Sequence, residues 1–266
     1  MNMTDILLKM CFGAYVAAAM CVVFSHRMPK IGFNLAGPIL MLAGFLFHTA
    51  MIVVRWHEAG RPPFASMYEA LVLFSWSVVF VYFIFDRLYR CVVLFAPALT
   101  LSLILLAVAF FGSSAIKPLV PALQSPWMSV HVIAYFTGYG SMSLAFMLGI
   151  VYVVSARGQR QDHGQLRAMD GLIYRLIIFG FPFLTIGMTT GSAWAQAAWG
   201  TYWGWDPKET CSLITWLVYA AYLHLRLLLG WKDMRAAWMC ILGFLATLFT
   251  FIGVNYILPG LHSYTS

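Results

Sequence analysis

The sequence predicts an all-α polytopic membrane protein of about eight transmembrane helices. Of its 266 residues, 62% are hydrophobic and only 9% are charged, a composition that excludes a soluble globular protein. The mean hydropathy is +0.83, and apolar runs of roughly 20 residues, long enough to cross a bilayer, recur along the chain. Because no stretch remains for a soluble domain, we predict a single integral membrane domain over residues 1–266.

Each predicted helix is an apolar stretch bounded by polar or turn-forming residues. The helices are predicted at residues 6–24, 37–54, 70–85, 91–111, 128–154, 171–189, 207–229 and 236–257. Between the second and third, residues 56–68 carry Gly60, Pro62 and Pro63, which predict a rigid turn. Residues 156–170 are polar and charged, and they predict a linker.

The basic residues predict the orientation, because cytoplasmic loops carry an excess of Lys and Arg. Eleven of the 16 flank connections one, three, five and seven: Arg27, Lys30, Arg87, Arg90, Arg157, Arg160, Arg167, Arg175, Arg226, Lys232 and Arg235. The other five are Lys9, Arg55, Arg61, Lys117 and Lys208. Both termini and the connection before the seventh helix are therefore predicted to be extracytoplasmic.

That connection, residues 194–210, is the most unusual stretch of the chain. It holds Trp194, Trp199, Tyr202, Trp203 and Trp205 in what the pattern predicts to be a short polar turn. An aromatic belt at the lipid headgroups is one interpretation. The interleaved glycines at positions 200 and 204 favour another, because they let the backbone turn tightly and lay several indole faces around one flat object. We therefore predict an extracytoplasmic binding segment over residues 190–210.

A helix is predicted to begin directly after this segment. Asp206 suits the N-cap, and Pro207 suits the first helical position, where its missing N–H would be unpaired in any case. Glu209 falls at the third position and completes a capping box.

Two histidines are predicted to lie on the same side of the membrane as the Trp-rich segment. His131 is near the outer end of the fifth helix, and His262 is in the tail after the eighth. Either one alone is best interpreted as a solvated surface residue. Two neutral imidazoles converging on an aromatic platform are what axial ligation of a haem iron needs, so the pair favours a haem site.

Three further histidines are predicted to lie in different environments. His224 lies about 25 Å along the seventh helix from Pro207, in the inner half of the membrane, where ionisable residues are usually functional. The alternative is a hydrogen-bonding role near the cytosolic interface, helped by Arg226. His48, near the middle of the second helix, is either a ligand or a core hydrogen-bonding residue, and His57 is either part of the external site or interfacial.

The pattern at residues 199–210, Trp-Gly-Thr-Tyr-Trp-Gly-Trp-Asp-Pro-Lys-Glu-Thr, resembles the tryptophan-rich WWD signature of the haem-handling proteins of cytochrome c biogenesis. Its continuation through His224 is similar to the system II branch of that family, CcsA. Residues 60–70 and 253–264 resemble the outer loop and the C-terminal end of the same branch. The resemblance covers most of the chain.

The resemblance implies two haem stations. External haem is expected to contact Trp194, Trp199, Trp203, Trp205 and Asp206, with His131 and His262 as axial ligands of the iron. At an inner station, His224 is expected to ligate the iron together with a histidine of a partner subunit, CcsB or ResB.

The function implied is that of the haem-channel subunit of a cytochrome c synthase. Such a subunit moves haem b to the outer face and positions it for thioether attachment to the Cys-x-x-Cys-His motif of apocytochrome c, without a side-chain nucleophile of its own. We expect it in the cytoplasmic membrane of a bacterium or in a thylakoid-like membrane. Nucleic acid is not an expected partner, because topology explains the basic residues. The alternatives are a haem exporter that loads a chaperone and a transporter of another aromatic solute.

Overall fold

The computed structural model describes residues 2–27, 33–158 and 162–257, so the predicted ligand His262 lies outside the described residues. Within those ranges the chain forms helices and no strand. Among the described residues, eight helices are long and apolar enough to cross a membrane. The predicted all-α membrane fold is thereby confirmed.

The helices are numbered in chain order. Their bounds are α1 Met3–Arg27, α2 Phe33–Ala59, α3 Met67–Tyr89, α4 Phe95–Ala109, α5 Pro126–Arg157, α6 His163–Trp199, α7 Pro207–Leu228, α8 Asp233–Leu248 and α9 Val254–Ile257. A π-helical stretch, Phe249–Gly253, joins α8 to α9, and the 3-10 turns Val92–Leu94 and Pro121–Leu123 precede α4 and α5.

Two predicted connections are wrong in length because the helices beside them run further. α2 continues to Ala59 and α3 begins at Met67, so only residues 60–66 of the predicted turn at residues 56–68 are non-helical. This shorter turn starts at Gly60, whose φ is +63°. The predicted linker at residues 156–170 is mostly helix, since α5 ends at Arg157 and α6 begins behind the N-cap residue Asp162.

The end of α6 is the most consequential correction. The sequence predicts an end at residue 189, but α6 runs to Trp199, so Trp194 and Trp199 lie on a helix and not in a polar turn. Residues 193–199 read Ala-Trp-Ala-Gln-Ala-Ala-Trp, and alanine is the strongest helix former. The helix ends at Gly200, which adopts the left-handed conformation with φ of +78°.

The chain divides into two compact units, Met1–Leu119 and Val120–Ser266. In the first unit, α1 packs on α2 and α4, and α3 packs on α4 and α2. In the second unit, α5 packs along α6 and against α8, while α7 packs on α8 and α6. The single domain predicted over residues 1–266 stays a prediction.

Candidate functional site

Helices α5 and α6 of the second unit approach closely because small residues face each other along them. A Cβ added to Gly180 of α6 would lie 3.0 Å from Cβ of Ser141 and 3.2 Å from the carbonyl oxygen of Gly138, both on α5. The Ser141 hydroxyl donates a hydrogen bond of 2.7 Å to the carbonyl oxygen of Leu176. Side chains of α5 therefore reach the backbone of α6.

The half-buried His131, near the start of α5, makes such a contact. Its Nδ1 lies 2.8 Å from the carbonyl oxygen of Gly187 on α6. A carbonyl oxygen only accepts, so Nδ1 carries the proton, and in this tautomer Nε2 carries the lone pair. Histidines that bind metals commonly donate one ring N–H to a carbonyl and ligate through the other nitrogen. The geometry suits an iron ligand.

Trp194 packs beside this imidazole. The two ring centroids are 5.8 Å apart with an interplanar angle of 35°, and the Trp199 indole lies 4.8 Å from Trp194 at 63°. Trp194 is 1% exposed, and its Nε1–H donates a hydrogen bond of 2.7 Å to the carbonyl oxygen of Ala122. The structure thus brings together three predicted site residues, His131, Trp194 and Trp199.

Trp203 and Trp205 form a second aromatic group in the turn after α6. Their rings are 5.8 Å apart and nearly perpendicular, at 88°. The backbone of Trp205 has φ of +56°, a region that bulky residues seldom adopt, and its side chain is 69% exposed. These indoles form an edge-to-face pair, and not one flat stack.

The predicted start of α7 is confirmed. Asp206 is the N-cap residue and forms a capping box with Glu209, and Pro207 is the first helical residue. One carboxylate oxygen of Glu209 accepts hydrogen bonds from the backbone N–H of Gly204 at 2.8 Å and of Asp206 at 3.2 Å. Asp206, 7% exposed, accepts from the Lys208 N–H. The two carboxylates hold the Trp203–Trp205 turn onto the helix.

His224 lies elsewhere, close to the other end of α7. Two residues on, Arg226 forms a two-pronged ion pair with Asp170 of α6, with both N–O distances 2.7 Å. Residues two apart on an α-helix point about 200° apart. The ion pair therefore turns His224 away from α6, and its side chain is exposed on the surface of the chain.

His48 in the first unit is resolved as a core residue. It is 0% exposed, and its Nε2 lies 3.1 Å from the carbonyl oxygen of Val72. That nitrogen donates to the carbonyl, and Nδ1 faces the Tyr15 hydroxyl at 3.5 Å. Both ring nitrogens are thus directed at groups of the protein itself, while His57 is exposed.

A buried charge cluster in the first unit was not predicted. Glu69, 1% exposed, pairs with Arg55 at 2.9 Å and with Arg61 at 3.0 Å. The same arginines donate to the carbonyl oxygens of Ser114 and Lys117. The sequence signal was an acidic residue in the first turn of an apolar helix, which is costly to bury without a partner.

The profile of the cytochrome C assembly protein family matches residues 64–262. Over 254 residues the chain is 38% identical to a CcsA cytochrome c biogenesis protein of Chlamydomonas reinhardtii, covering 90% of this chain and 69% of that relative. The chain belongs to the CcsA family of cytochrome c biogenesis proteins.

Other CcsA relatives align over more of their own length. One from Synechococcus sp. (strain CC9902) is 35% identical, with 85% of each chain covered, and one from Pyropia yezoensis is 31% identical, with 98% of this chain and 97% of the relative covered. A solved structure named cytochrome c heme lyase CcmF has the same fold, with a TM-score of 0.71 at 18% identity. The match covers 94% of this chain and 46% of that chain.

Proposed function

We propose that this CcsA family member binds haem b as a substrate at the extracytoplasmic face and positions it for attachment to apocytochrome c. The observation that carries the proposal is the 2.8 Å contact between Nδ1 of His131 and the Gly187 carbonyl oxygen, which requires the proton on Nδ1 and leaves the lone pair on Nε2. Trp194 packs beside this imidazole, and Trp199 packs on Trp194. His262, in the C-terminal tail, is proposed as the second axial ligand.

The proposed reaction depends on how haem and the apocytochrome thiols are positioned and needs no reactive side chain of this chain. Each thioether forms when a cysteine S–H of the Cys-x-x-Cys-His motif adds across a haem vinyl group: sulfur bonds one carbon and the proton goes to the other, so nothing leaves. Axial histidines fix the iron, and indoles fix the edge of the macrocycle relative to the incoming thiols. Exposed Trp205 is proposed to contact haem or apocytochrome directly.

A separate inner haem station is proposed at His224. The inward face of α7 carries Thr215, Tyr219 and Tyr222. Its opposite face is exposed and carries a stripe at helical spacing: Ile214, Leu217, Ala221, His224 and Leu228. Lipid suits the apolar members of this stripe but leaves an imidazole without a polar partner, which is costly in hydrocarbon. A membrane helix of a CcsB/ResB-type subunit that supplies a second histidine satisfies it.

The contact with that partner is tested by cross-linking. Leu217→Cys places a thiol on the exposed stripe, and Thr215→Cys is the matched control, because Thr215 is 4% exposed on the opposite face. Cross-links to the co-expressed partner subunit are expected from position 217 and not from 215. Equal yields at the two positions would place the partner elsewhere.

The outer station is tested by haem absorbance of the complex purified with its partner subunit. His131→Gly should lower the absorbance of haem at this station, and added imidazole should restore it by occupying the vacated iron position. His57→Gly is the control, because that histidine is exposed and has no role in the proposed site. A wild-type spectrum in the His131 variant would refute the proposal.

The same measurement separates the alternatives. A transporter of another aromatic solute should be purified without haem absorbance. A haem exporter should bind haem but should release it to a chaperone without forming thioethers on apocytochrome c. Thioether formation in a reconstituted mixture of both subunits, haem and apocytochrome therefore supports the synthase over the exporter.

A further inference from the structure

The ring of His131 rests on α6 where two glycines, Gly187 and Gly191, face it. Gly187 and Gly191 lie one turn apart, and a Cβ on Gly191 would fall 2.6 Å from Cε1 of His131 and still closer to Nδ1. A Cβ on Gly187 would fall 2.7 Å from Cδ2 of Tyr135, one turn further along α5. Non-bonded carbon atoms do not approach so closely, so any larger residue at position 191 must displace the imidazole.

The same contact selects which ring nitrogen carries the proton. With the imidazole lying against the α6 backbone, Nδ1 comes within 2.8 Å of the Gly187 carbonyl oxygen. In water the two neutral tautomers of a histidine exchange. Here the carbonyl holds the proton on Nδ1, which leaves Nε2 as the nitrogen with a lone pair.

Trp194 bounds the ring from another direction. Its indole packs at 5.8 Å from the imidazole, and the indole in turn is held by the 2.7 Å hydrogen bond to the Ala122 carbonyl oxygen in the turn before α5. At 1% exposure, Trp194 has little surface to offer a ligand. It contacts the histidine and the protein core.

We infer that Gly187, Gly191 and Trp194 are positioning residues that fix the rotamer and the tautomer of His131, so that Nε2 is presented to the haem iron. The inference rests on the proposed function, in which His131 is an axial ligand. It also changes the expected role of Trp194: this indole acts on haem through His131, whereas Trp203 and Trp205 in the following turn are the ones that can contact a ligand directly.

The central test is Gly191→Ala in the complex with its partner subunit. The matched control is Gly171→Ala in the same helix, where an added Cβ meets no atom within 4 Å. In Gly191→Ala, the affinity of the outer station for haem should fall by about 10- to 100-fold, the usual effect of removing the support of a metal ligand. The haem absorbance of the purified complex should fall with it. Gly171→Ala should match the wild type.

Added imidazole distinguishes displacement of the His131 ring from a general packing defect, because imidazole restores haem binding only in the first case. If Gly191→Ala only displaces the His131 ring, imidazole fills the vacated iron position and restores the wild-type spectrum, as it does for His131→Gly. A loss that imidazole does not restore in a folded, monodisperse protein would overturn the inference, and so would a wild-type spectrum in Gly191→Ala.

Trp194→Phe provides a second test if the alanine variant fails to fold. It keeps a buried ring but removes the indole N–H that donates to Ala122, so a smaller loss of haem, again restored by imidazole, is expected. Unchanged haem binding would contradict a role for this indole. Failure of the proposed function is distinguishable, since His131→Gly would then keep its haem whatever the glycine and tryptophan variants do.

Discussion

Two histidines of this chain make almost the same hydrogen bond, but one is a buried core residue and the other is a candidate haem ligand. His131 in the second unit and His48 in the first each place one ring nitrogen about 3 Å from a carbonyl oxygen of a neighbouring helix, at 2.8 and 3.1 Å. His48 is 0% exposed, and its other nitrogen faces the Tyr15 hydroxyl. His131 is half-buried, and its Nδ1 is the nitrogen that donates.

The difference in burial separates a histidine enclosed by its own fold from one that a ligand can still reach. In the first unit the polar groups are enclosed, since Glu69, Arg55 and Arg61 are also buried and directed at one another. In the second unit the Trp-rich turn is partly exposed. Variants in the enclosed cluster should change stability, and variants around His131 should change haem binding.

Glu69→Gln should give the largest change in stability. Without the carboxylate, Arg55 and Arg61 remain buried with no opposite charge, which typically costs about 3–5 kcal/mol. Thermal unfolding in detergent should show a large decrease in melting temperature, while haem bound per folded molecule stays unchanged. Glu58→Gln, on an exposed carboxylate, is the control. Equal shifts for the two variants would mean that the cluster is not the enclosed support described.

His48→Phe should decrease the stability by an intermediate amount. It keeps a ring of similar size but removes the two nitrogens that face the Val72 carbonyl oxygen and the Tyr15 hydroxyl in a buried site, at a cost of about 1–3 kcal/mol. The melting temperature should fall, and added imidazole should not restore it. A loss of haem that imidazole reverses would contradict the distinction between the two histidines.

Glu209→Ala should have the smallest effect of the three. The variant loses the acceptor for the N–H groups of Gly204 and Asp206, and losing a helix-capping contact costs about 0.5–2 kcal/mol. Because the turn is partly exposed, the change should be local, and amide hydrogen exchange at these two residues should be faster. A decrease in melting temperature as large as that of Glu69→Gln would contradict the claim that the turn contributes less to stability than the buried charge cluster of the first unit.

The helix count was predictable from the sequence because a membrane span is defined by apolar length, and each of the eight runs is long enough. The start of α7 was equally predictable, since Asp206, Pro207 and Glu209 are local signals whose effect does not depend on distant residues. The end of α6 was not. Hydropathy decreases after residue 189 while the alanine-rich backbone stays helical, and hydropathy alone does not separate the end of a span from the end of a helix.

The candidate site was predicted in part. His131, Trp194 and Trp199 do lie together, but the glycines at positions 187 and 191 gave no sign of their role, because only the neighbouring helix decides whether a glycine serves a turn or a close contact. Arg55 and Arg61 were identified from the sequence only as basic residues outside the predicted cytoplasmic connections. Their common partner, Glu69, is set by how the first unit folds, which spacing along the chain does not reveal.

The length of α6 has a consequence for the membrane itself. With 37 residues it extends about 55 Å, well beyond a hydrocarbon layer of about 30 Å. The residues after position 189 continue it for about 15 Å past its apolar stretch. Gly191, Trp194 and Trp199 are carried on that extension, so bilayer thickness and helix tilt govern how far they project. Hydrophobic mismatch in a thicker membrane would draw the imidazole of His131 towards the lipid headgroups, and the function proposed above would then be impaired because apocytochrome approaches from water.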